Sequence, residues 1–545
     1  MKRSLSDDAL PPPKRLHTLN GAVPVARALT FESALYEELI LLVFSYLDWR
    51  DLCAAQVVNT TFRRVAQDQT LWKRLFLRTF RSSRLRGGKG FIGRTDGREM
   101  KPIPGRAQQP PEPKEWREWF QISYRWRTGR CTTQELIGGI LEPRSGAAAT
   151  STPHHILLAG STTIIASSEA SGCPQIHCLQ AAANQTLRCG SSSPHPQTFH
   201  ITAIALDQSP PALSGLLRLA VFLSTGEFII FAIHPSNPVA TTRKFNHIIQ
   251  RRRSGQVVQA VYHHPLLISL SDTFVLNLYD LSSDTVRHSQ TLSSVSTFPP
   301  SSMILSTQAP APAPRSLVYK LVLTYAVPIY PLHLSLGVTE LLISSHASSD
   351  SMSFTPLPNT APLTVFSTRT ARALDVPQGW IDQDKLRIMK EQWGRKLLRI
   401  QATQSDGKWV VLAPGEQVAS TPSNAASGPQ VTTIPTISGT SAASLQLYRL
   451  FLPAVTSIAS PPPKLTFNRY LEHTAGTVSS MSLADGRCVT LGKNSVSIWD
   501  LESGTSAEVA LPTSMRDEGQ GGTIAFDDRR IITVRGSTVH VHRFD

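Results

Sequence analysis

Cys173, His177, Cys178 and Cys189 lie within one short stretch, and thiol and imidazole are the groups that bind zinc. Their spacing fits no common zinc site, and in the strand-like "QIHCLQ" His177 and Cys178 fall on opposite faces. "GKGFIGRT" comes within one residue of a phosphate-cradling loop, with Arg94 where lysine would reach the phosphates. Such a loop needs a strand before it and a helix after it, and the flanking sequence offers neither. HExxH and GxSxG do not occur, and no carboxylate pair stands at a recognisable spacing. The pairs His154–His155 and His263–His264 read as surface or edge residues at the starts of strands. No catalytic residue, metal or cofactor is therefore expected. The residues point to binding rather than to catalysis.

The elements that would support binding fall into unequal parts. A chain of 545 residues exceeds what one core usually organises. Its 54 Lys and Arg against 39 Asp and Glu give a formal charge of +15, and residues 1–130 hold 24 of those cations against 13 acids. The basicity belongs to the first quarter. Six scattered cysteines make no disulfide framework, and "MKRSLSDDALPPPKRLHTLN" lacks the apolar core of a signal peptide, so a reducing compartment, nucleus or cytoplasm, is expected. "LVLTYAVPIYPLHLSLGVT" at 321–339 has no charge, but Pro328 and Pro331 interrupt it. It reads as two short strands around a turn, and no membrane span is expected.

One compact helical block stands out: "LYEELILLVFSYLDWRDLCAAQVVNTTFRRVAQDQTLWKRLF", residues 35–76. Leu35, Leu39, Val43 and Leu47, with Phe44 beside them, recur at helical spacing. Asp48 is placed to cap a second helix, with Asp51 three residues on, and Asn59 to cap a third. Leu71, Trp72, Leu75 and Phe76 continue the pattern. Four short helices in so few residues leave apolar surface that wants a partner.

The order "L–EL…VFSYLD–DL…VN–FR–A–D–LWK–LF" resembles the F-box, the module that docks on the Skp-type adaptor of cullin-based ubiquitin ligases. That resemblance implies an adaptor-binding set of Leu35, Glu38, Leu39, Val43, Phe44, Leu47, Leu52, Val58, Phe62, Leu71 and Trp72. One position departs from the pattern. Tyr36 stands where the F-box usually has proline, a residue that pre-sets φ at a helix start.

From Arg78 to Arg130 the chain carries 14 Lys and Arg against five acids, and "RSSRLRGGKGFIGRTDGREMKPIPGRAQQPPEPK" has no periodicity. It reads as a basic linker. "EWREWFQISYRWRTGRC" then returns to helix, with Trp116, Trp119, Phe120 and Tyr124 on one face. Beyond residue 131 short alternating runs recur between turns. "GTVSSMSLADGRCVTLGKNSVSIWDLESG" resembles one blade of a WD-repeat propeller, with Trp499–Asp500 at the signature dipeptide, and Tyr279–Asp280 takes the same place in a weaker copy at 256–283. Further sets lie at 201–233 and 397–451. The last set ends after three strands, and residues 132–138, "TTQELIG", are expected to supply the fourth and close the ring.

The chain is thus read as multidomain: a small all-α F-box followed by a mostly-β propeller of about seven blades, with a pair of β-sandwiches as the second choice. The expected divisions are a disordered tail at 1–29, the F-box at 30–80, a disordered basic linker at 81–113, a connecting helix at 114–130 and a degenerate WD-like propeller at 131–545. The resemblance implies a non-catalytic substrate receptor of a Skp–cullin–F-box (SCF) ligase, joined through the adaptor to cullin and RING subunits, with an unnamed protein substrate on the propeller. Arg251 to Arg253, Arg395 and Arg399 are candidates for holding it. The alternative is a nuclear scaffold that uses 81–113 for weak contact with nucleic acid, imported through the basic pairs at 2–3 and 14–15.

Overall fold

The computed structural model describes residues 31–80, 115–136, 153–180, 184–191, 198–209, 216–234, 242–248, 255–283, 285–308, 318–329, 332–345, 362–376, 379–415, 444–453, 461–472, 476–516 and 521–545. The tail at 1–29, the linker at 81–113 with its loop-like "GKGFIGRT", both basic pairs and Arg251 to Arg253 lie outside them. The chain divides into two compact units, residues 1–79 and 80–545.

The first unit is helical: α1 (Phe31–Ala34), α2 (Glu37–Phe44), α3 (Trp49–Ala55), α4 (Thr60–Ala66) and α5 (Gln69–Thr79). The Asn59 carboxamide oxygen accepts from the N–H of Phe62 at 2.6 Å and so starts α4. Asp48 occupies the corresponding place before α3 but makes no side-chain capping bond. Ile40, Phe44, Leu52, Val65, Ala66, Leu71, Trp72, Leu75 and Phe76 are all buried. Phe62 meets Phe31 and Phe44 edge-on, at 5.8 and 5.3 Å. The Trp72 indole N–H donates to the Ala66 carbonyl at 2.8 Å, which satisfies one acceptor left open at the end of α4.

The second unit begins with α6 (Trp116–Thr128) and β1 (Thr132–Leu136). Gly129 turns the chain between them at φ 69°, where a side chain would be strained and a Cβ would lie 2.7 Å from the Glu508 carbonyl oxygen. Blade one is β2 (His154–Ala159), β3 (Thr162–Ser167), β4 (Gln175–Leu179) and β5 (Gln185–Arg188). Blade two is β6 (Ile201–Leu206), β7 (Leu217–Leu223), β8 (Glu227–Ile233) and β9 (Thr242–Ile248). Blade three is β10 (Val257–His263), β11 (Leu266–Ser271), β12 (Val275–Asp280) and β13 (Arg287–Ser293). Blade four is β14 (Ser301–Gln308), β15 (Val318–Ile329), β16 (His333–Ser345) and β17 (Leu363–Arg372). After α7 (Gln383–Gly394) comes blade five, β18 (Ile400–Ser405), β19 (Trp409–Pro414), β20 (Leu445–Phe451) and β21 (Lys464–Leu471). Blade six is β22 (Ser480–Ala484), β23 (Arg487–Leu491), β24 (Ser495–Asp500) and β25 (Ser506–Ala510). Blade seven runs β26 (Thr523–Phe526), β27 (Arg530–Arg535), β28 (Thr538–Arg543) and, outermost, β1.

β1 pairs antiparallel with β28, from Thr132 opposite Arg543 to Leu136 opposite Val539. The innermost strands β2, β6, β10, β14, β18, β22 and β26 touch in that order, and β26 touches β2. The ring is closed. Each blade is apolar on both faces because each is covered on both. Leu266, Ile268 and Leu270 of β11 meet Leu321, Leu323, Leu341 and Ile343 of blade four, while Leu267 and Tyr279 turn to Phe222 and Phe228 of blade two. Buried aspartates join blades at the turns. The Asp406 carboxylate accepts from the N–H groups of Lys408 and Trp409 in its own turn and from Gly486 of blade six, at 2.9, 2.7 and 2.7 Å. Asp207 accepts in the same way from Ser209 and from His264 of blade three, both at 2.9 Å.

Two expectations need correction, and one helix lies where none was expected. The uncharged stretch at 321–339 lies in one long hairpin, because β15 and β16 run to 12 and 13 residues, and Pro328 is paired near its tip, where a missing N–H costs little. His263 ends β10 rather than beginning a strand. α7 was not anticipated at all. Among the described residues no helix is long and apolar enough to cross a membrane.

His542 ties the closing seam. Its ring nitrogens lie 3.0 Å from the Thr133 hydroxyl of β1 and 3.2 Å from the Thr533 hydroxyl of β27. Burial first, then the neighbouring His540, pulls its pKa from 6.5 down to about 4. The unfolded chain therefore takes up this proton before the folded one does. Stability present above pH 6.5 is lost as the pH falls toward 4, by about 2 kcal/mol at pH 5 for this group. Amides of β1 and β28 are expected to lose hydrogen-exchange protection between pH 7 and 5, and His542→Gln is expected to flatten that dependence. Unchanged protection over this range in the native chain would overturn the assignment.

Candidate functional site

α2 is apolar on two sides and has a core against only one. Ile40 and Phe44, four residues apart, are buried. Leu39, Leu42, Val43 and Tyr46 form a second stripe at spacings of three and four residues and are 45 to 77% exposed. A helix apolar all round belongs in a core, so this stripe lacks a partner within its own unit. Tyr36, Val57 and Val58 add 81, 85 and 66% exposed surface in the adjoining turns. Glu37 and Glu38 open the helix, and Glu37 is held by both guanidinium nitrogens of Arg64 at 2.7 and 2.8 Å, which links α2 to α4. That hydrogen-bonded charge keeps the Glu37 carboxyl below the usual carboxylate range.

The residues expected to bind an adaptor divide by burial. Leu39, Val43, Val58 and Glu38 are exposed, and Leu35, Leu47 and Phe62 are half-buried. Phe44, Leu52, Leu71 and Trp72 are inside the core, where they shape the unit without being open to contact. Tyr36, Leu42, Tyr46 and Val57 are exposed and were passed over. The stripe through Leu35, Leu39 and Val43 and the stripe through Ile40 and Phe44 look alike in sequence. The fit of Phe44 against Phe62 selects which one turns inward. Tyr36 has φ −66° and ψ 150°, so α2 starts with the φ that a proline ring would impose.

In the second unit the predicted aromatic face of α6 is only part of what holds it. Phe120 is buried against Phe80 and Tyr124, at 5.4 and 6.2 Å, while Trp116, Trp119 and Tyr124 are half-buried. On the other side Ile122 and Trp126 enter the core of blades six and seven. Trp126 stacks on Phe544 at 4.0 Å, lies 3.8 Å from the Arg487 guanidinium and donates its indole N–H to the Asp528 carbonyl at 2.9 Å. Of the arginines considered for a substrate, Arg395 lies 4.5 Å over the Phe467 ring and Arg399 is exposed. Among the described residues no group of three His, Cys, Asp or Glu could hold a metal ion. Cys178 is buried, which pushes its thiol up to about 12.

Residues 37–78, from the first residue of α2 nearly to the end of α5, match the family model described as F-box-like. This segment is an F-box-like domain. Over 143 residues the chain is 29% identical to the "Probable E3 ubiquitin ligase complex SCF subunit sconB" of Arthroderma otae, which is 23% of this chain and 21% of that protein. The same figures hold for the proteins of that description from Arthroderma benhamiae and Trichophyton verrucosum. The chain therefore spans about a fifth of the length of the curated relatives it matches. Among solved structures it is similar to the β-propeller domain of Myceliophteria thermophila Swd1, with TM-score 0.35 and 10% identity over 72% of this chain and 99% of that one. The WD40 β-propeller domain of Doa1 gives TM-score 0.32 and 10% identity over 70 and 90%. The propeller rests on the seven closed sheets themselves, and these weak likenesses add nothing to it. The F-box-like domain carries the exposed stripe of α2.

Proposed function

We propose that this chain is the substrate-recognition subunit of an SCF-type ubiquitin ligase. The observation that carries the reading is an F-box-like domain with an uncovered apolar stripe on α2, in one chain with a closed seven-bladed ring. The stripe supplies the apolar area that docking on a Skp-type adaptor needs, and through the adaptor the chain would join cullin and RING subunits. The ring would hold a protein substrate. Ubiquitin transfer would belong to other subunits, and this chain would contribute proximity and orientation, converting an encounter in solution into a reaction within one assembly. Its place of work would be the nucleus, the cytoplasm or both.

Titration of the full chain with a Skp-type adaptor, followed by calorimetry, tests the reading. Submicromolar binding with a negative heat-capacity change, the mark of buried apolar surface, is expected. No heat of binding from a chain with an intact melting transition would end it.

A further inference from the structure

The segment joining blade four to blade five carries a second uncovered surface, on the propeller itself. Among the described residues of the second unit nine large apolar side chains are exposed, and six of them are Leu332 or lie between Val376 and Leu398. Trp380 stands wholly in solvent, and Ile388 and Leu398 are half in it. α7 buries none of its 12 residues, a length at which a helix alone is marginal. It is nevertheless fixed in place. Asp382 accepts from the Asp384 N–H at its start, and Gln392 and Trp393 near its end bond to Asp375 at 2.9 to 3.2 Å. Leu397 and Leu334 exchange backbone hydrogen bonds of 2.6 and 3.0 Å, which tie the segment to the hairpin of β15 and β16. A fixed helix with an uncovered outer side is half of a contact.

Charge decides what the other half is. Lys385, Arg387, Lys390, Arg395, Lys396 and Arg399 stand against Asp382, Asp384 and Glu391, and among the described residues none of the six cations forms an ion pair. A membrane-seated helix needs one continuous apolar face, whereas Leu386 and Ile388, two residues apart, point to opposite sides of α7. We propose that the segment from Trp380 to Arg399, with exposed apolar side chains on more than one side and a surplus of three cations, is a docking surface for an acidic protein segment that carries apolar anchors. On the receptor reading above, on which this assignment of the occupant rests, that segment belongs to the substrate.

The test uses the full chain and a defined probe: a synthetic peptide in which glutamate alternates with leucine and phenylalanine, and its counterpart with lysine for glutamate. Fluorescence anisotropy is expected to show binding of the acidic peptide that weakens with salt, and no binding of the basic one. Trp380→Ala with Ile388→Ala is expected to weaken binding about tenfold or more. Lys385→Glu, Arg387→Glu and Lys390→Glu together are expected to transfer the preference to the basic peptide. None of these side chains is buried, so the melting temperature serves as the check on folding. Equal binding of both peptides, no binding, or binding untouched by both variants would overturn the proposal. Binding to phosphatidylserine vesicles in place of the peptide, lost in the same variants, would overturn it in favour of a membrane surface. Adaptor titration of the same proteins separates the two readings: peptide binding without adaptor binding leaves the surface and removes the receptor, and the reverse does the opposite.

Discussion

Leu39→Asp combined with Val43→Asp is expected to remove adaptor binding and leave the chain folded. Both side chains are 45% exposed and lie on the side of α2 away from Ile40 and Phe44, so neither substitution opens the core. In a complex each aspartate would have to be buried without a partner, and the loss is expected to reach about a hundredfold or more in affinity. Phe44→Ala makes the contrast. Phe44 is buried and edge-on to Phe62, and its removal costs about 3–5 kcal/mol of folding stability, so any loss of binding there reports unfolding. Calorimetry paired with circular dichroism distinguishes the two. Adaptor affinity unchanged in the double aspartate variant would mean that the exposed stripe serves something else.

Trp126→Ala is expected to destabilise the second unit by about 3–5 kcal/mol, the cost of a cavity where a large buried aromatic stood. The ring is held from Phe544, from Arg487 and through its N–H by the Asp528 carbonyl, which places residues distant in sequence around one side chain. Trp126→Phe keeps much of the stacking but removes the indole N–H that the Asp528 carbonyl accepts, and about 1–2 kcal/mol is expected. Denaturant unfolding followed by circular dichroism, with the midpoint shift multiplied by m, measures both. A loss of less than about 1 kcal/mol in the alanine variant would show that α6 is not anchored where it meets the blades.

Two kinds of signal made much of this molecule readable from sequence. Alternation of apolar residues over short runs, broken by "ADG" and "GKN", gave three of the four strands of blade six nearly in place, and the missing fourth strand of blade seven pointed back to residues 132–138. Helical spacing gave the small unit. What stayed hidden was hidden for physical reasons. α7 has no buried stripe, and the signs it carries are a period of only two turns, Leu386, Met389 and Trp393, with the Asp382 cap and a run of good helix formers. Trp126 lies among arginines in "YRWRTG", and nothing local says that its partners are Phe544 and Arg487. On α2 the sequence offers two apolar stripes of equal quality. Only packing against Phe62 decides which is core and which is surface, so Phe44, named beside Leu39 and Val43, is buried, while Leu42 is exposed.

The pairing of β1 with β28 also sets an order of events during synthesis. Leu136 leaves the ribosome about 400 residues ahead of β28, so at roughly 5–20 residues per second the strand waits about 20–80 seconds for its partner. Throughout that time six blades can form while the ring remains open, with β1 unpaired and the apolar faces of blades one and six that blade seven will cover left bare. Contacts across the whole length of the chain are slow to make, and no local structure can substitute for this one. A chain cut short before Thr538 would therefore keep β1 without its partner strand and those apolar faces uncovered.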